Sequence, residues 1–156
     1  MKNKLVIYYS RDGNTQRVSQ FIKDYYGCPG KKIEDTRNRS GLWGFLVAGK
    51  DALFKRDTDI KVSNLELDHY ESIFLGGPVW AGRIPPAVRT FLKEYDLSEK
   101  KLVLFCTMGS SNYAMFFEDI KEIVPECEVD VTFAIRSKNI SPDRVQNELE
   151  NLDLSG

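Results

Sequence analysis

Cysteine, histidine and long apolar runs are all scarce in this chain, and each scarcity removes a class of function. The three cysteines, Cys28, Cys106 and Cys127, are too few and too scattered for a disulfide framework. No C-x-x-C pair occurs, which argues against a zinc site and against a thioredoxin-type redox pair. None of the cysteines begins a C-x5-R loop, which disfavours tyrosine-phosphatase chemistry, and Cys106, inside an apolar segment, reads as a packing residue. His69 is the sole histidine. It sits in Asp68-His69-Tyr70-Glu71, ahead of a strand, where a surface role is expected and a Ser-His-Asp site has no support. The G-x-x-x-x-G-K phosphate loop is absent. No stretch approaches the roughly 20 apolar residues of a membrane helix. The first apolar run ends at Tyr9, too short for an export signal. A cytoplasmic, reducing location is the resulting expectation.

A strong charge of either sign is also missing. The formal net charge of −1 argues against a general affinity for nucleic acid or for anionic membranes. The charges are unevenly spread, however. Lys31, Lys32, Arg37, Arg39, Lys50, Lys55 and Arg56 make the early middle basic, while Glu118, Asp119, Glu122, Glu126, Glu128 and Asp130 make a later stretch acidic. Such blocks ordinarily face water, and a partner-docking face is the sharper alternative.

What is present is an alternation of strand and helix patterns. Leu5-Val6-Ile7-Tyr8-Tyr9 predicts a buried parallel strand that ends in a turn at Ser10. Val18, Phe21, Ile22 and Tyr25 then fall at helical spacing, with Gly27 and Pro29 as the stop. A weaker strand is predicted at Lys32-Ile33-Glu34. Ser72-Ile73-Phe74-Leu75 is a second clear strand, and Pro85 lies near the start of the helix that follows, with Ala87, Val88, Phe91, Leu92 and Tyr95 as its apolar face. Leu102 to Cys106 is a third strand, followed by a helix marked by Phe116, Ile120, Ile123 and Val124 and closed by Pro125. Val129 to Ile135 is a fourth. Ser141 caps a last helix that has Pro142 at its first position and Val145, Leu149 and Leu152 inside. The stretch from Ser40 to Asp59 departs from the pattern. Leu42, Phe45, Leu46 and Gly49 are spaced like a short helix that would cover the sheet or overhang a site. The whole predicts an α/β domain, a parallel sheet with helices on both faces, without repeats or linkers.

Ligands of open parallel sheets bind beyond the carboxyl ends of the strands. Three loops leave such ends. Ser10-Arg11-Asp12-Gly13-Asn14-Thr15 joins a strand to a helix through a glycine, so converging N–H groups and the helix dipole favour a phosphate there. An ordinary capped turn is the competing reading. Gly76-Gly77-Pro78-Val79-Trp80-Ala81-Gly82 sets a tryptophan among small residues, where it presents a flat face to a planar ring or packs down onto the sheet. Thr107-Met108-Gly109-Ser110-Ser111-Asn112-Tyr113 offers hydroxyl, amide and backbone donors beside an aromatic wall, with helix capping by Ser111 or Asn112 as the alternative. A phosphorylated planar cofactor suits the combination.

These residues resemble the flavodoxin family. The segment 10–15 is similar to its S/T-x-T-G-N-T phosphate loop, the segment 76–82 to a G-T-P-V-W-A-G loop, and Gly41 to Asp51 to a glycine- and aromatic-containing segment of the same subgroup. The resemblance runs over nearly the whole chain. It implies one flavodoxin-like domain over residues 1–156, a three-layer sandwich around a five-stranded parallel sheet in the order 2-1-3-4-5, with FMN as cofactor. It places the FMN phosphate on Ser10, Arg11, Asp12, Gly13, Asn14 and Thr15. Trp80, within Pro78, Val79, Trp80, Ala81 and Gly82, stacks on or flanks the ring, and Thr107, Met108, Gly109, Ser110, Asn112 and Tyr113 lie along its pyrimidine edge.

The implied function is electron transfer between redox partner proteins by a monomer or weak dimer, with no catalytic side chain and no contact with nucleic acid or membrane. An FMN-dependent NAD(P)H:quinone or flavin oxidoreductase is the alternative, and a module that has lost tight FMN binding is a third. Asp12 stands where the family often has threonine, and a carboxylate beside a phosphate is unfavourable unless it points outward or is neutralised by Arg11. Gly77 replaces a threonine, at the cost of one hydroxyl. The near-neutral charge, with Arg83 directly after the Trp80 loop, implies a less reducing flavin than that of an acidic shuttle.

Overall fold

Every second residue of the central strands faces the same way, and this alternation builds two cores from one sheet. The computed structural model describes residues 3–37, 41–110 and 112–155. The expectations placed on Arg39, Ser40 and Ser111 lie outside the described residues. In chain order the elements are β1 (Lys4–Tyr8), α1 (Asn14–Tyr26), β2 (Gly30–Lys32), β3 (Glu34–Asp35), α2 (Gly41–Leu53), β4 (Ile60–Lys61), β5 (Ser72–Pro78), α3 (Pro86–Glu94), β6 (Lys101–Met108), α4 (Ala114–Ile123), β7 (Glu128–Arg136) and α5 (Pro142–Ser155).

Five strands form a parallel sheet in the order β2-β1-β5-β6-β7, which is the expected 2-1-3-4-5. Leu5, Ile7, Ile73, Leu75, Leu102 and Leu104 turn to one face and pack with Val88 and Phe91 of α3, Phe116 and Ile120 of α4, and Ala48 and Ala52 of α2. Val6, Phe74, Val103 and Phe105 turn to the other, against Val18 and Ile22 of α1 and Val145 and Leu149 of α5. Fully burying one such side chain contributes about 1.5–3 kcal/mol before chain entropy is counted.

The helix ends follow their expected signals. Gly27 closes α1 in the left-handed conformation at φ 61°, its N–H bonded to the Lys23 carbonyl. The Ser141 hydroxyl accepts the Arg144 N–H at 3.2 Å at the start of α5.

Three expectations need correction. Tyr25, at an apolar-face position of α1 by helical spacing, is 38% exposed, while Tyr26 is buried. Both phenols donate to Asp153, at 2.9 and 3.0 Å, and so tie α1 to α5. The weak strand at 32–34 is split. Gly30–Lys32 joins the sheet, Ile33 plunges into the core, and Glu34–Asp35 pairs antiparallel with β4. That two-residue ribbon closes the base of the 36–59 excursion, where Thr36 bonds to the Asp59 carbonyl. Within the excursion α2 is a helix, but its expected apolar stripe points to solvent. Leu42, Phe45 and Leu46 are exposed, and the buried positions are Gly44, Ala48, Asp51 and Ala52. Small residues face inward because the helix lies close to the strand ends and to α3.

Candidate functional site

The C-terminal ends of β1, β5 and β6 converge on one cleft of about 230 Å³. Ser10, Arg11, Asp12, Asn14 and Thr15 line it from the first loop, Pro78, Val79 and Trp80 from the second, and Thr107, Met108 and Gly109 from the third. A larger, more polar hollow of about 560 Å³ adjoins it beyond β2 and shares Ser10, Arg11 and Asp12.

The first loop is shaped for an anion. Gly13 caps α1 at φ 90°, a conformation that glycine adopts freely, and a Cβ there would point into open space. The first turn of α1 leaves N–H groups without helical acceptors at the positive end of the helix dipole. The buried Ser10 hydroxyl accepts the Gly13 N–H at 3.2 Å and keeps its own proton for a ligand oxygen. The hydroxyls of Thr15 and Thr107 meet at 2.7 Å and join the first loop to the third. One of the two accepts, so one proton of the pair remains to be donated.

The two charged residues of this loop turn away from its centre. Arg11 donates to the Gly41 carbonyl at 3.0 Å and lies over the Phe45 ring, 5.5 Å from its centroid, which pins α2 beside the cleft. The Asp12 side chain is 68% exposed and lies 3.8 Å from Arg11 Nε. Water and the neighbouring guanidinium therefore screen the carboxylate that the sequence placed next to a phosphate.

The second loop is a tight reversal. Trp80 and Arg83 exchange backbone hydrogen bonds of 3.0 and 2.9 Å around Ala81 at φ 50° and Gly82 at φ 77°. Two positive φ angles in succession mark a primed hairpin turn. Such a φ at an alanine costs about 1–2 kcal/mol. Trp80 packs down with 8% exposure, edge-on to Tyr9 with ring centroids 5.5 Å apart, and still lines the cleft. Ala81, with Val79 and Trp80, faces Phe45, Ala48 and Gly49 of α2. Gly77 points away from any ligand, since a Cβ there would meet Val88 at 3.1 Å. The missing threonine hydroxyl is therefore a matter of core space.

Among its described residues, the third loop reaches the cleft through Thr107, Met108 and Gly109. Ser110 is exposed, Asn112 lies against Gly82, and Tyr113 is 36% exposed with its ring edge-on to Phe117. Ser110, Asn112 and Tyr113 thus stand at the rim. Phe45, from the helix expected to cover the sheet or overhang a site, and Ser137, which the sequence did not single out, also line the cleft. The arginine over Phe45 depends on a contact across 34 residues of chain, which local patterning does not reveal.

Behind the second loop lies a buried charge cluster. Asp119, grouped by sequence with a solvated acidic run, is fully buried. It accepts from Arg83 Nη1 at 2.5 Å and from the Ile84 N–H at 3.4 Å, and lies 3.6 Å from Arg89 Nη2. The charge of Arg83 is therefore spent on Asp119 and is not free to act on a ligand. Cys106, near the C-terminal end of β6, is buried and its thiol is pushed up to about 12 by desolvation, which makes it inert. His69 is exposed beside Glu66, far from the three loops.

An anion-binding helix end, hydroxyl donors and an apolar wall of Phe45, Val79, Trp80 and Met108 thus share one cleft. This donor set fits a ligand with a phosphate at one end and a flat ring system at the other.

Comparison with known proteins agrees with that shape. The model of the flavodoxin family, described as "Flavodoxin", matches residues 47–152. A candidate flavoprotein of Bacteroides uniformis ATCC 8492 superposes with a TM-score of 0.83 at 20% identity, covering 96% of this chain and 98% of its own. A flavoprotein of Lactobacillus acidophilus NCFM, solved in complex with FMN, gives 0.77 at 19% identity, covering 98% and 99%. Among curated proteins, an NAD(P)H dehydrogenase (quinone) of Acidovorax ebreus (strain TPSY) is 27% identical over 95 residues. That alignment covers 60% of this chain and 46% of the relative, so the chain spans just under half the length of the relative it matches.

Proposed function

The chain belongs to the flavodoxin family, and from that premise we propose that it binds FMN in the three-loop cleft and carries electrons between redox partner proteins. The observation that supports this best is the joining of the open N-terminus of α1 to loops 78–80 and 107–109 in one cavity. FMN, when bound, supplies the redox chemistry, and the protein supplies placement and electrostatics. In this reading Gly13, Asn14, Thr15 and Ser10 hold the phosphate. Arg11 fixes α2 at the cleft mouth. Trp80, braced by Tyr9, flanks the ring, and the backbone at 107–109 faces its polar edge. No side chain serves as acid or base. A low-potential flavin is not expected. The near-neutral chain lacks the acidity that favours one. Redox titration checks this, and a strongly negative potential would count against it.

The test of binding is the visible spectrum of the purified protein before and after adding FMN. Flavin bands that stay with the protein on gel filtration are expected, with binding weakened at least about tenfold by Gly13→Asp, which puts a charged side chain at the helix N-terminus. A protein that stays colourless in excess FMN would overturn the reading and favour a module without tight flavin binding.

A second reading, an NAD(P)H-dependent quinone or flavin reductase, is favoured by the similarity to the Acidovorax quinone dehydrogenase. Steady-state NAD(P)H oxidation by the FMN-loaded protein with a quinone acceptor supports it. Turnover only with a separate reductase supports the carrier.

A further inference from the structure

The large apolar side chains of α2 stand in solvent. Leu42 and Trp43 are 77% exposed, Phe45, Leu46 and Leu53 between 56% and 57%, and Phe54, directly after the helix, 62%. A helix that served only to cover the sheet would place these inward and its small residues outward. A fully exposed aromatic side chain presents about 150–250 Å². Three such rings and three leucines therefore reach or pass the roughly 300–600 Å² of the largest apolar patch on an ordinary monomer. The patch runs into the cleft through Phe45, which lines both.

The charge pattern names the occupant. Residues 41–56 hold Lys50, Lys55 and Arg56 and one acid, Asp51. Asp51 is turned inward, 1% exposed, and held by Arg37 at 3.0 Å and Arg56 at 3.4 Å. The exposed side chains of the segment are thus apolar or cationic. Acids stand at its border: Glu122 of α4 pairs with Lys55, Asp57 pairs with Lys93, and Asp12, across the cleft from Phe45, lies beside Arg11. Two such faces brought together would set cation against cation, which disfavours a second copy as the partner. An anionic bilayer meets both needs, with hydrocarbon for the rings and leucines and headgroups for the cations. A net charge of −1 conceals this because it averages the segment with the acidic α4–β7 stretch.

We propose that α2 docks the protein on anionic lipid membranes, lying in the plane of the interface with Phe45 and the cleft mouth toward the bilayer. The docking goes beyond FMN binding and does not rest on it. The test uses the whole chain with vesicles of phosphatidylcholine, with and without phosphatidylglycerol, read by co-sedimentation and tryptophan emission. Trp43 is a built-in reporter, because the other tryptophan, Trp80, is already buried. A blue shift and binding at least about tenfold tighter to the anionic vesicles, reversed by salt, are expected. Leu42→Ser with Phe54→Ser lowers binding about tenfold with the circular dichroism spectrum unchanged. Lys50→Glu with Lys55→Glu removes the preference for phosphatidylglycerol, and Trp43→Phe abolishes the shift but leaves sedimentation. Equal binding to both vesicles, or none to either, overturns the proposal. So does a lipid-free dimer, seen by light scattering, that shields Trp43, or an acidic protein that binds the patch while vesicles do not.

Discussion

Arg83 Nη1 donates to Asp119 Oδ1 across 2.5 Å, joining the end of the Trp80 turn to the buried side of α4. Asp119 is also the counter-charge for Arg89, whose Nε and Nη2 have no hydrogen-bond partner among the described residues. Removing it strands two guanidiniums. Asp119→Ala is expected to cost about 3–5 kcal/mol in urea unfolding. Asp119→Asn, which keeps the shape, should cost less. Both should also loosen the loop, so FMN affinity falls with stability.

The Thr15–Thr107 hydroxyl contact is buried. Either single Thr→Val change leaves one hydroxyl in the interior without its partner, at about 1–3 kcal/mol. The double change removes both polar groups and should lie well below the sum of the singles. A double-mutant cycle by chemical denaturation measures this, and additive costs would show that the contact carries little.

Gly76 pairs with Phe105 across the sheet, and a Cβ on it would fall 2.2 Å from the Phe105 ring. Gly76→Ala is therefore expected to destabilise by about 3 kcal/mol or more, with partial recovery when Phe105→Leu is added. Gly109→Ala, where a Cβ meets open space, should leave the melting temperature nearly unchanged.

Burial pushes the Cys106 thiol from 9.0 to about 12. In the unfolded chain the thiol ionises first, so above pH 9 the unfolded state has lost a proton that the folded state retains. Stability is complete below that pH and falls as pH rises. Between pH 9 and 10, Cys106→Ala should flatten the decline by up to about 1.4 kcal/mol per pH unit. Urea unfolding at closely spaced pH values reads the slope, whatever the variant does to absolute stability.

The central strands β1, β5 and β6 were legible because parallel strands buried on both faces appear as unbroken apolar runs, whereas β2, Gly30–Lys32, has no such run and was displaced to 32–34. Three ligand loops followed from the strand ends. The direction faced by α2 was not legible. Leu42, Phe45 and Leu46 define a stripe, but so do Gly44, Ala48 and Ala52, and periodicity does not say which stripe meets the sheet. Nor was the burial of Asp119, whose partner Arg83 lies 36 residues away in the chain. Trp80 lines the cleft from its loop and is packed down at 8% exposure, where the sequence left a ring-facing and a packed position open. Its support on Tyr9 is a tertiary contact that spacing does not show.

The acidic stretch takes a different meaning from the position of β7. That strand is one rim of the sheet, with one side of its ladder unpaired among the described residues, and an unpaired rim invites another chain to add a strand. Here it carries Glu128 and Asp130 at its start. The pairing register jumps from Val129 to Val131, so that Asp130 sits in an irregularity of the ladder. A charge in a distorted stretch of rim is a poor template for cross-β growth. The acids that a linear reading assigned to solvation thereby help keep this sheet from polymerising at its open side.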